Sequence, residues 1–159
     1  SLIMALAFTL QRHLDSLDVD YEVVAHPYAD TGLDTADKAH IPADKLAKSI
    51  MLEDEGGYLM AVCQASRRIK LGELYRETNR RLEFANETEL ADMLGDCVLG
   101  AVPPLGELYG VDVVVDMELF MQPDVYFEAG DHEDLIHVSA DNFQKLMSNA
   151  EHASFSKPA

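Results

Sequence analysis

The chain has 159 residues, 48% of them hydrophobic, and its 29 acidic residues outnumber 12 lysines and arginines. This size and composition are typical of one compact domain and exclude a disordered chain. We therefore expect a single domain over residues 4–150 and a loose tail over 151–159. The net charge of −17 opposes nonspecific binding to polyanions and, taken alone, argues against a nucleic-acid substrate; DNA is not an expected partner.

No window of the sequence approaches the roughly 20 apolar residues that cross a bilayer. The opening segment has neither a basic start nor a small-residue cleavage site for export. Two cysteines, Cys63 and Cys97, are too few for a disulfide framework and fit a reducing compartment. We therefore expect a cytoplasmic protein without a membrane segment.

The first half of the chain alternates between the apolar spacings of helices and strands. These spacings and the capping residues predict first a helix over 5–17, a strand over 21–25 and a short helix that Asp34 or Thr35 caps and that ends at Ala39. A hairpin of strands 47–53 and 58–64 follows. The remaining elements are a helix near 71–75, a strand over 82–85 and a helix from Asn86 to Leu94. We expect the hairpin loop, which contains Gly56 and Gly57, to be somewhat longer than the minimum.

The second half begins with a long loop and closes with a helix. Its apolar runs predict strands over 111–116, 126–129 and 135–139, followed by a helix that Ser139 caps and that buries Phe143. Strands and helices are interspersed without a regular βαβ rhythm. We therefore predict an α/β (α+β) fold in which helices surround a mixed β-sheet.

The loop over 95–110 contains four glycines and the pair Pro103-Pro104, yet it is unusually apolar. Glycines let a backbone approach a ligand closely, and prolines reduce the entropy lost in holding a loop rigid. Such a loop could offer N–H groups to a carbonyl oxygen or a developing oxyanion. A structural crossover would use the same residues, so both interpretations stay open.

Lys48 lies within the first strand of the predicted hairpin. The period of two places it on the face of Ile50 and Leu52, while Ser49 and Met51 share the other face. A lysine at such a position either snorkels from the edge of the sheet or sits in a pocket where it meets an anion.

Basic residues concentrate between Arg67 and Arg81, where six of them face only two acidic residues. Such a run is most often the solvated face of a helix. In this acidic chain it is also the only candidate surface for phosphate groups, and we predict that Arg67, Arg68 and Lys70 contact them.

The histidines and cysteines do not predict a metal or thiolate site. His132 and His137 are five residues apart across a strand, which places them on opposite faces and makes a shared metal improbable. Nothing near Cys97 in the sequence indicates an activated thiolate, and Cys63 has the surroundings of a core residue.

Three motifs of the chain, AKSIML, GAVPPLG and FEAGDHEDLIHVS, resemble in order and spacing those of the YbaK/prolyl-tRNA-synthetase-associated (ProX) domain family. The pair His26-Pro27 extends the resemblance over nearly the whole chain. In that family a strand lysine faces a pocket beside a Gly-x-x-x-Pro loop, and Lys48, Gly100 and Pro104 match those positions. The resemblance implies a fold like that of the editing domain inserted in prolyl-tRNA synthetases.

The resemblance also implies a free-standing hydrolase that releases small amino acids from mischarged tRNA. Such an enzyme is a second sieve, because a few apolar atoms supply only about 1 to 3 kcal/mol of discrimination. The residues implied in catalysis are Lys48, Gly100, Pro104 and His132. The residues implied in substrate binding are Ala101, Val102, Pro103, Gly106, Gly130 and Asp131. For His132, a polar turn residue is the competing interpretation.

The implied partners are aminoacyl-tRNA and, as a further candidate, an aminoacyl-tRNA synthetase. Water is the expected nucleophile, with no metal or other cofactor, because an aminoacyl ester is already activated. At Pro103 many relatives carry a small polar residue, so we expect alanyl-tRNA-Pro as the first substrate, with Cys- or Ser-tRNA next. The alternative function is a non-catalytic module that binds a nucleotide, an amino acid or a protein.

Overall fold

A computed structural model of the protein describes residues 8–94, 97 and 100–159. Within these residues the helices are α1 (Phe8–Ser16), α2 (Gly32–Lys38), α3 (Leu71–Thr78), α4 (Glu87–Leu94) and α5 (Ala140–Leu146). The strands are β1 (Glu22–Ala25), β2 (Leu46–Asp54), β3 (Gly57–Gln64), β4 (Arg67–Ile69), β5 (Glu83–Phe84), β6 (Asp112–Asp116), β7 (Asp124–Glu128), β8 (Asp134–Ser139), β9 (Glu151–Ala153) and β10 (Ser156–Pro158). Among the described helices, none is long and apolar enough to cross a bilayer.

The helix caps follow from short polar side chains. Ser139 accepts a hydrogen bond from the backbone N–H of Asn142, which confirms the predicted start of α5. The predicted cap of α2 at Asp34 or Thr35 is wrong. Thr31 is the cap, because its hydroxyl accepts the backbone N–H of Asp34, and Thr35 is buried inside the helix.

The hairpin of β2 and β3 turns more tightly than predicted. Asp54 pairs with Gly57, so that only Glu55 and Gly56 connect the strands. The carboxylate of Asp54 accepts the backbone N–H of Gly56, and Gly57 has φ +126°, a conformation that side chains disfavour. The expectation of a longer loop is therefore wrong, since these local features close a two-residue turn.

Eight strands form one mixed sheet in the order β1-β8-β7-β2-β3-β6-β9, with β5 as an additional partner of β2. One edge of β2 pairs with β3 throughout. The other edge pairs with parallel β7 at Leu46 and Ala47, and with antiparallel β5 at Leu52 and Glu53. The mixed sheet with its helices confirms the predicted fold class. Residues 48–51 lie where β2 changes partner.

Apolar side chains cover both faces of the sheet. On one face, Ala47 and Met51 of β2 belong to the largest cluster, together with Leu10, Leu94 and Phe143 from three helices. On the other face lie two smaller clusters, one containing Leu46, Ala65 and Leu135 and the other Leu52, Cys63, Leu74 and Phe155. Leu46, Ile50 and Leu52 lie on this second face, and the period of two places Lys48 with them, which confirms the predicted strand phase.

The segment after residue 150 is ordered, and the prediction of a loose tail is wrong. Strand β9 adds to the sheet in parallel with β6, and β10 pairs with β4 in a separate two-stranded ribbon. Between them Phe155 is 1% exposed, and its backbone N–H donates to the buried carboxylate of Asp116. One buried aromatic ring and these ladder hydrogen bonds outweigh the polar composition of the segment.

Candidate active site

The change of partner along β2 leaves room for a cavity beside residues 49–51. It has a volume of about 160 Å³. Its lining comes from the centre of β2, the end of β5, helix α4 and the start of the Gly/Pro loop: Ser49, Ile50, Met51, Phe84, Ala85, Leu90, Leu94, Gly100 and Val102. The lining is mostly aliphatic, so the cavity suits a small, weakly polar group.

Among the β2 side chains that line this cavity, Ser49 contributes a polar group, its hydroxyl. It is buried and has no hydrogen-bond partner among the described residues. A buried hydroxyl without a partner costs about 1–3 kcal/mol, because its hydration is lost without replacement. Ser49 therefore offers a donor and an acceptor to a molecule that enters the cavity.

Lys48, the neighbour of Ser49, is half-buried on the opposite face of β2. Its Nζ donates to the backbone carbonyl of Arg67 at 2.5 Å. A Cβ atom built on Gly32, the first residue of α2, would lie 4.0 Å from Cδ of Lys48. An ammonium has three donors, so a fixed lysine keeps two of them for an ester oxygen or a phosphate.

Glu128 ends β7 on the same face of the sheet as Lys48. Ala47 lies opposite Phe127, so Lys48 and Glu128 are the next residues of these parallel strands. Burial, reinforced by the charge of Asp131, raises the pKa of Glu128 to about 8. Nε2 of the buried His26 lies 3.7 Å from Oε1 of Glu128.

The turn between β7 and β8 carries His132, which has φ +62° and is 4% exposed. Its ring packs edge-on against Tyr28, with ring centroids 5.3 Å apart. A Cβ atom on Gly100 would lie 3.0 Å from its Nε2, and Gly100 has φ +87°. The structure thus brings His132 and Gly100 together. The close approach of the His132 ring and the positive φ angle both favour glycine at position 100.

Asp131 and Gly130 shape this turn. The carboxylate of Asp131 accepts the backbone N–H groups of Glu133 and Asp134, and Gly130 has φ +116°. Burial and the neighbouring Asp131 raise the pKa of Asp134 to about 7. The contacts of Asp131 are those of a turn residue that holds His132 against the Gly/Pro loop.

The Gly/Pro loop divides between two cavities. Gly100 and Val102 line the cavity beside β2, whereas Pro104 lines a second cavity of about 310 Å³ together with the start of β6 and the end of α5. Ala101 and Pro103 are buried. A Cβ atom on Gly106 would meet the carbonyl oxygen of Val111 at 2.7 Å, so this glycine permits close packing on β6. Part of the predicted loop, residues 95, 96, 98 and 99, lies outside the described residues.

The basic segment is only partly available to a ligand. Arg80 forms two hydrogen bonds with Asp54, and this guanidinium lowers the pKa of that carboxyl to about 2. The Arg67 guanidinium donates to the hydroxyl and the carbonyl oxygen of Ser156. Arg68 and Lys70 are exposed. Of the three predicted phosphate ligands, these two face solvent.

Cys63 and His137 take structural positions. Cys63 is buried opposite Lys48, and burial raises the pKa of its thiol to about 11. His137 stacks on Tyr126 and hydrogen-bonds to Asp124. Across the described ranges 8–94 and 100–159, no three His, Cys, Asp or Glu side chains are grouped to hold a metal ion.

Three residues of this region were not singled out from the sequence. Glu128 can be recognised from the sequence as a candidate, because it is an acidic residue in an apolar strand that precedes a glycine turn. Strand phase places Ser49 on the face opposite Lys48, but nothing in the sequence assigns it a role. Tyr28 is 52% exposed beside His132, and no periodic pattern marks it.

No curated protein matches the sequence of this chain. Among solved structures, hypothetical protein APE2540 superposes with a TM-score of 0.83 at 17% identity, covering 94% of this chain and 99% of its own. A candidate trans-editing enzyme for prolyl tRNA synthetase gives a TM-score of 0.79 at 22% identity, covering 96% and 99%. These likenesses establish a shared fold.

The fold also occurs inside a larger protein. A candidate signal transduction protein from Marinobacter aquaeolei VT8 gives a TM-score of 0.74 at 20% identity, and the match covers 95% of this chain but 31% of that one. The sequence model of the aminoacyl-tRNA editing domain matches residues 26–146, which include Lys48 and His132. Because this match spans most of the sequence, the chain belongs to the aminoacyl-tRNA editing domain family.

Proposed function

We propose that this chain is a trans-editing aminoacyl-tRNA deacylase that hydrolyses the ester of a small amino acid. The observation that carries the proposal is that one segment of β2 borders the 160 Å³ aliphatic cavity at Ser49 and carries, at the preceding residue on its opposite face, the fixed side chain of Lys48. Alanyl-tRNA-Pro is the first expected substrate, and Cys- or Ser-tRNA comes next. Membership of the editing-domain family supports the reaction class.

Lys48 supplies positive charge where the ester or the terminal phosphate binds. Its bond to the carbonyl of Arg67 fixes one donor, and the remaining donors stabilise charge that develops on the ester oxygen. A water molecule attacks the ester carbonyl carbon and the bond to the ribose oxygen breaks. The amino acid leaves as its carboxylate, and the ribose hydroxyl regains a proton.

The start of the Gly/Pro loop orients the aminoacyl group. Gly100 and Val102 border the cavity, while Pro103 and Pro104 fix their own φ angles and restrict the residue that precedes each of them. Pro103 is outside the cavity lining in the described part of the chain, so its effect on specificity operates through the backbone. His132 lies against Gly100, where its ring can hydrogen-bond to substrate or water.

Arg68 and Lys70 are the proposed contacts for tRNA phosphates, since both are exposed on and beside β4. With few such contacts and a net charge of −17, binding to tRNA is modest and weakens as salt rises. A synthetase that delivers the mischarged tRNA would compensate for this weak binding. We place this activity in the cytoplasm.

Incubation with tRNA-Pro charged in turn with alanine, cysteine, serine and proline tests the proposal. We expect alanine to be released fastest and proline to be retained. Lack of release from all four at micromolar protein would contradict it. Binding of charged tRNA without hydrolysis would favour the alternative, a non-catalytic module, whose fold also occurs as one part of a larger protein.

A further inference from the structure

Arg67 differs from its neighbours in the basic segment because the C-terminal strand holds its side chain. Its Nε donates to the hydroxyl of Ser156 at 2.8 Å, and its Nη2 donates to the carbonyl oxygen of Ser156 at 2.9 Å. The side chain is half-buried, whereas that of Arg68 is exposed. Two charge-assisted hydrogen bonds to one residue fix the orientation of a planar guanidinium.

The strand that holds Arg67 is itself anchored, by its pairing with β4 and by the preceding residue Phe155. The β10 residues Ser156, Lys157 and Pro158 pair antiparallel with β4. The backbone N–H of Lys70 donates to the carbonyl of Phe155 at 2.7 Å. The ring of Phe155 packs into the cluster that also contains Cys63 and Leu74, and its N–H donates to Asp116.

The backbone of Arg67 continues this connection to the candidate site. The carbonyl oxygen of Arg67 accepts the hydrogen bond from Nζ of Lys48. A chain of contacts therefore runs from Phe155 and Ser156, through Arg67, to the ammonium that faces the substrate. We propose that Arg67 is a positioning residue for Lys48, held by the C-terminal strand, and not a ligand of tRNA phosphate. The proposal rests on the role that Lys48 has in the proposed function.

A phosphate could bind the Nε and Nη2 edge of Arg67 in bidentate fashion only by displacing Ser156, which would cost both hydrogen bonds. Arg68 could receive a phosphate without such a cost because its side chain is exposed. These two arginines are adjacent in one strand and carry the same charge. Their alanine variants therefore form a matched pair.

The experiment compares Arg67→Ala with Arg68→Ala on alanyl-tRNA-Pro over a series of salt concentrations. We expect Arg67→Ala to lower kcat about tenfold or more, with KM and its salt slope unchanged. Arg68→Ala should raise KM and reduce the salt slope by about 1. If Arg67→Ala instead reduces the salt slope like Arg68→Ala and keeps its kcat, Arg67 is a phosphate ligand and the proposal fails.

A second measurement follows the Lys48 amine without relying on hydrolysis. Acetic anhydride labelling, read by mass spectrometry, should modify Lys48 faster in Arg67→Ala, because residue 67 then lacks the side-chain bonds to Ser156 that fix the position of the carbonyl accepting the Lys48 hydrogen bond. The rate in Arg68→Ala should equal that of the parent. Equal rates in both variants would overturn the proposal. If the parent hydrolyses no charged tRNA, the proposed function fails while this labelling still decides the position of Lys48.

Milder variants guard against loss of folding in Arg67→Ala. Ser156→Ala removes one of the two acceptors and should lower kcat by several-fold, whereas Ser156→Thr keeps a hydroxyl and should restore it. Lys157→Ala, with an exposed side chain in the same strand, should match the parent in kcat and in Lys48 labelling. Equal kcat and equal labelling in Ser156→Ala, Ser156→Thr and the parent would contradict the proposal.

Discussion

The two faces of β2 meet different surroundings at the consecutive residues Lys48 and Ser49. On the Lys48 face lie ionisable or charged groups, among them Glu128 and the backbone-anchored Arg67. On the Ser49 face lies an aliphatic cavity with one buried hydroxyl. A single strand therefore separates a region that supplies charge from a region that selects by size.

The Lys48 face depends on the C-terminal segment, and Phe155→Ala tests that dependence with the largest expected effect. Truncating this fully buried ring leaves a cavity and should lower the free energy of unfolding by about 3–5 kcal/mol. Urea unfolding followed by circular dichroism measures the change. Met121→Ala, at a side chain that is 75% exposed, is the control and should change stability little. Equal stability of both variants would mean that the tail does not support the domain.

Lys48→Ala tests whether the charged face carries the chemistry. We expect kcat/KM on alanyl-tRNA-Pro to fall at least about 100-fold, because the charge that stabilises the transition state is lost. The control is Lys145→Ala, which removes an exposed lysine from α5. A folded Lys48→Ala variant that hydrolyses substrate as fast as the parent would remove Lys48 from the site.

Gly100→Ala probes the boundary of the cavity on the other face. The new Cβ would contact His132 at 3.0 Å in a backbone with φ +87°, and the strain should destabilise the fold by about 1–3 kcal/mol. Gly72→Ala is the matched control, since a Cβ in α3 meets no described atom within 4 Å and should stabilise by about 0.5–1 kcal/mol. Thermal unfolding of both variants measures the difference. Stabilisation by both substitutions would show that Gly100 is not constrained.

Glu128 makes the Lys48 face sensitive to pH. Its pKa is 4.5 in an ordinary setting and about 8 in the fold, so the folded chain keeps a proton that the unfolded chain releases. Between these values stability should fall as pH rises, by about 1.4 kcal/mol per pH unit from this group. Glu128→Gln should remove that part of the slope, whereas Glu133→Gln, at an exposed residue of the same turn, should keep it. Urea unfolding at several pH values measures both. An unchanged slope in Glu128→Gln would indicate an ordinary pKa.

The sequence alone predicted the features that depend on local periodicity. Strand phase placed Lys48 opposite Ser49, and Ser139 was identified as a cap because its contact is three residues away. The C-terminal segment was predicted wrongly. Its pairing with β4 and β6 is between distant parts of the chain, and Phe155 is a single aromatic ring among polar residues. Charge counting likewise could not reveal that Ser156 holds Arg67.

The change of partner along β2 has a consequence for hydrogen exchange. Ala65 donates to Leu46 on the β3 side and Ala85 donates to Met51 on the opposite side. Because the two sides alternate along a strand, the amide of Ser49 points into the gap between β7 and β5. This proton, in the middle of a nine-residue strand, should exchange with deuterium faster than those of its neighbours on the β3 side. An occupant of the cavity would slow that exchange, which makes one backbone amide a direct reporter of binding.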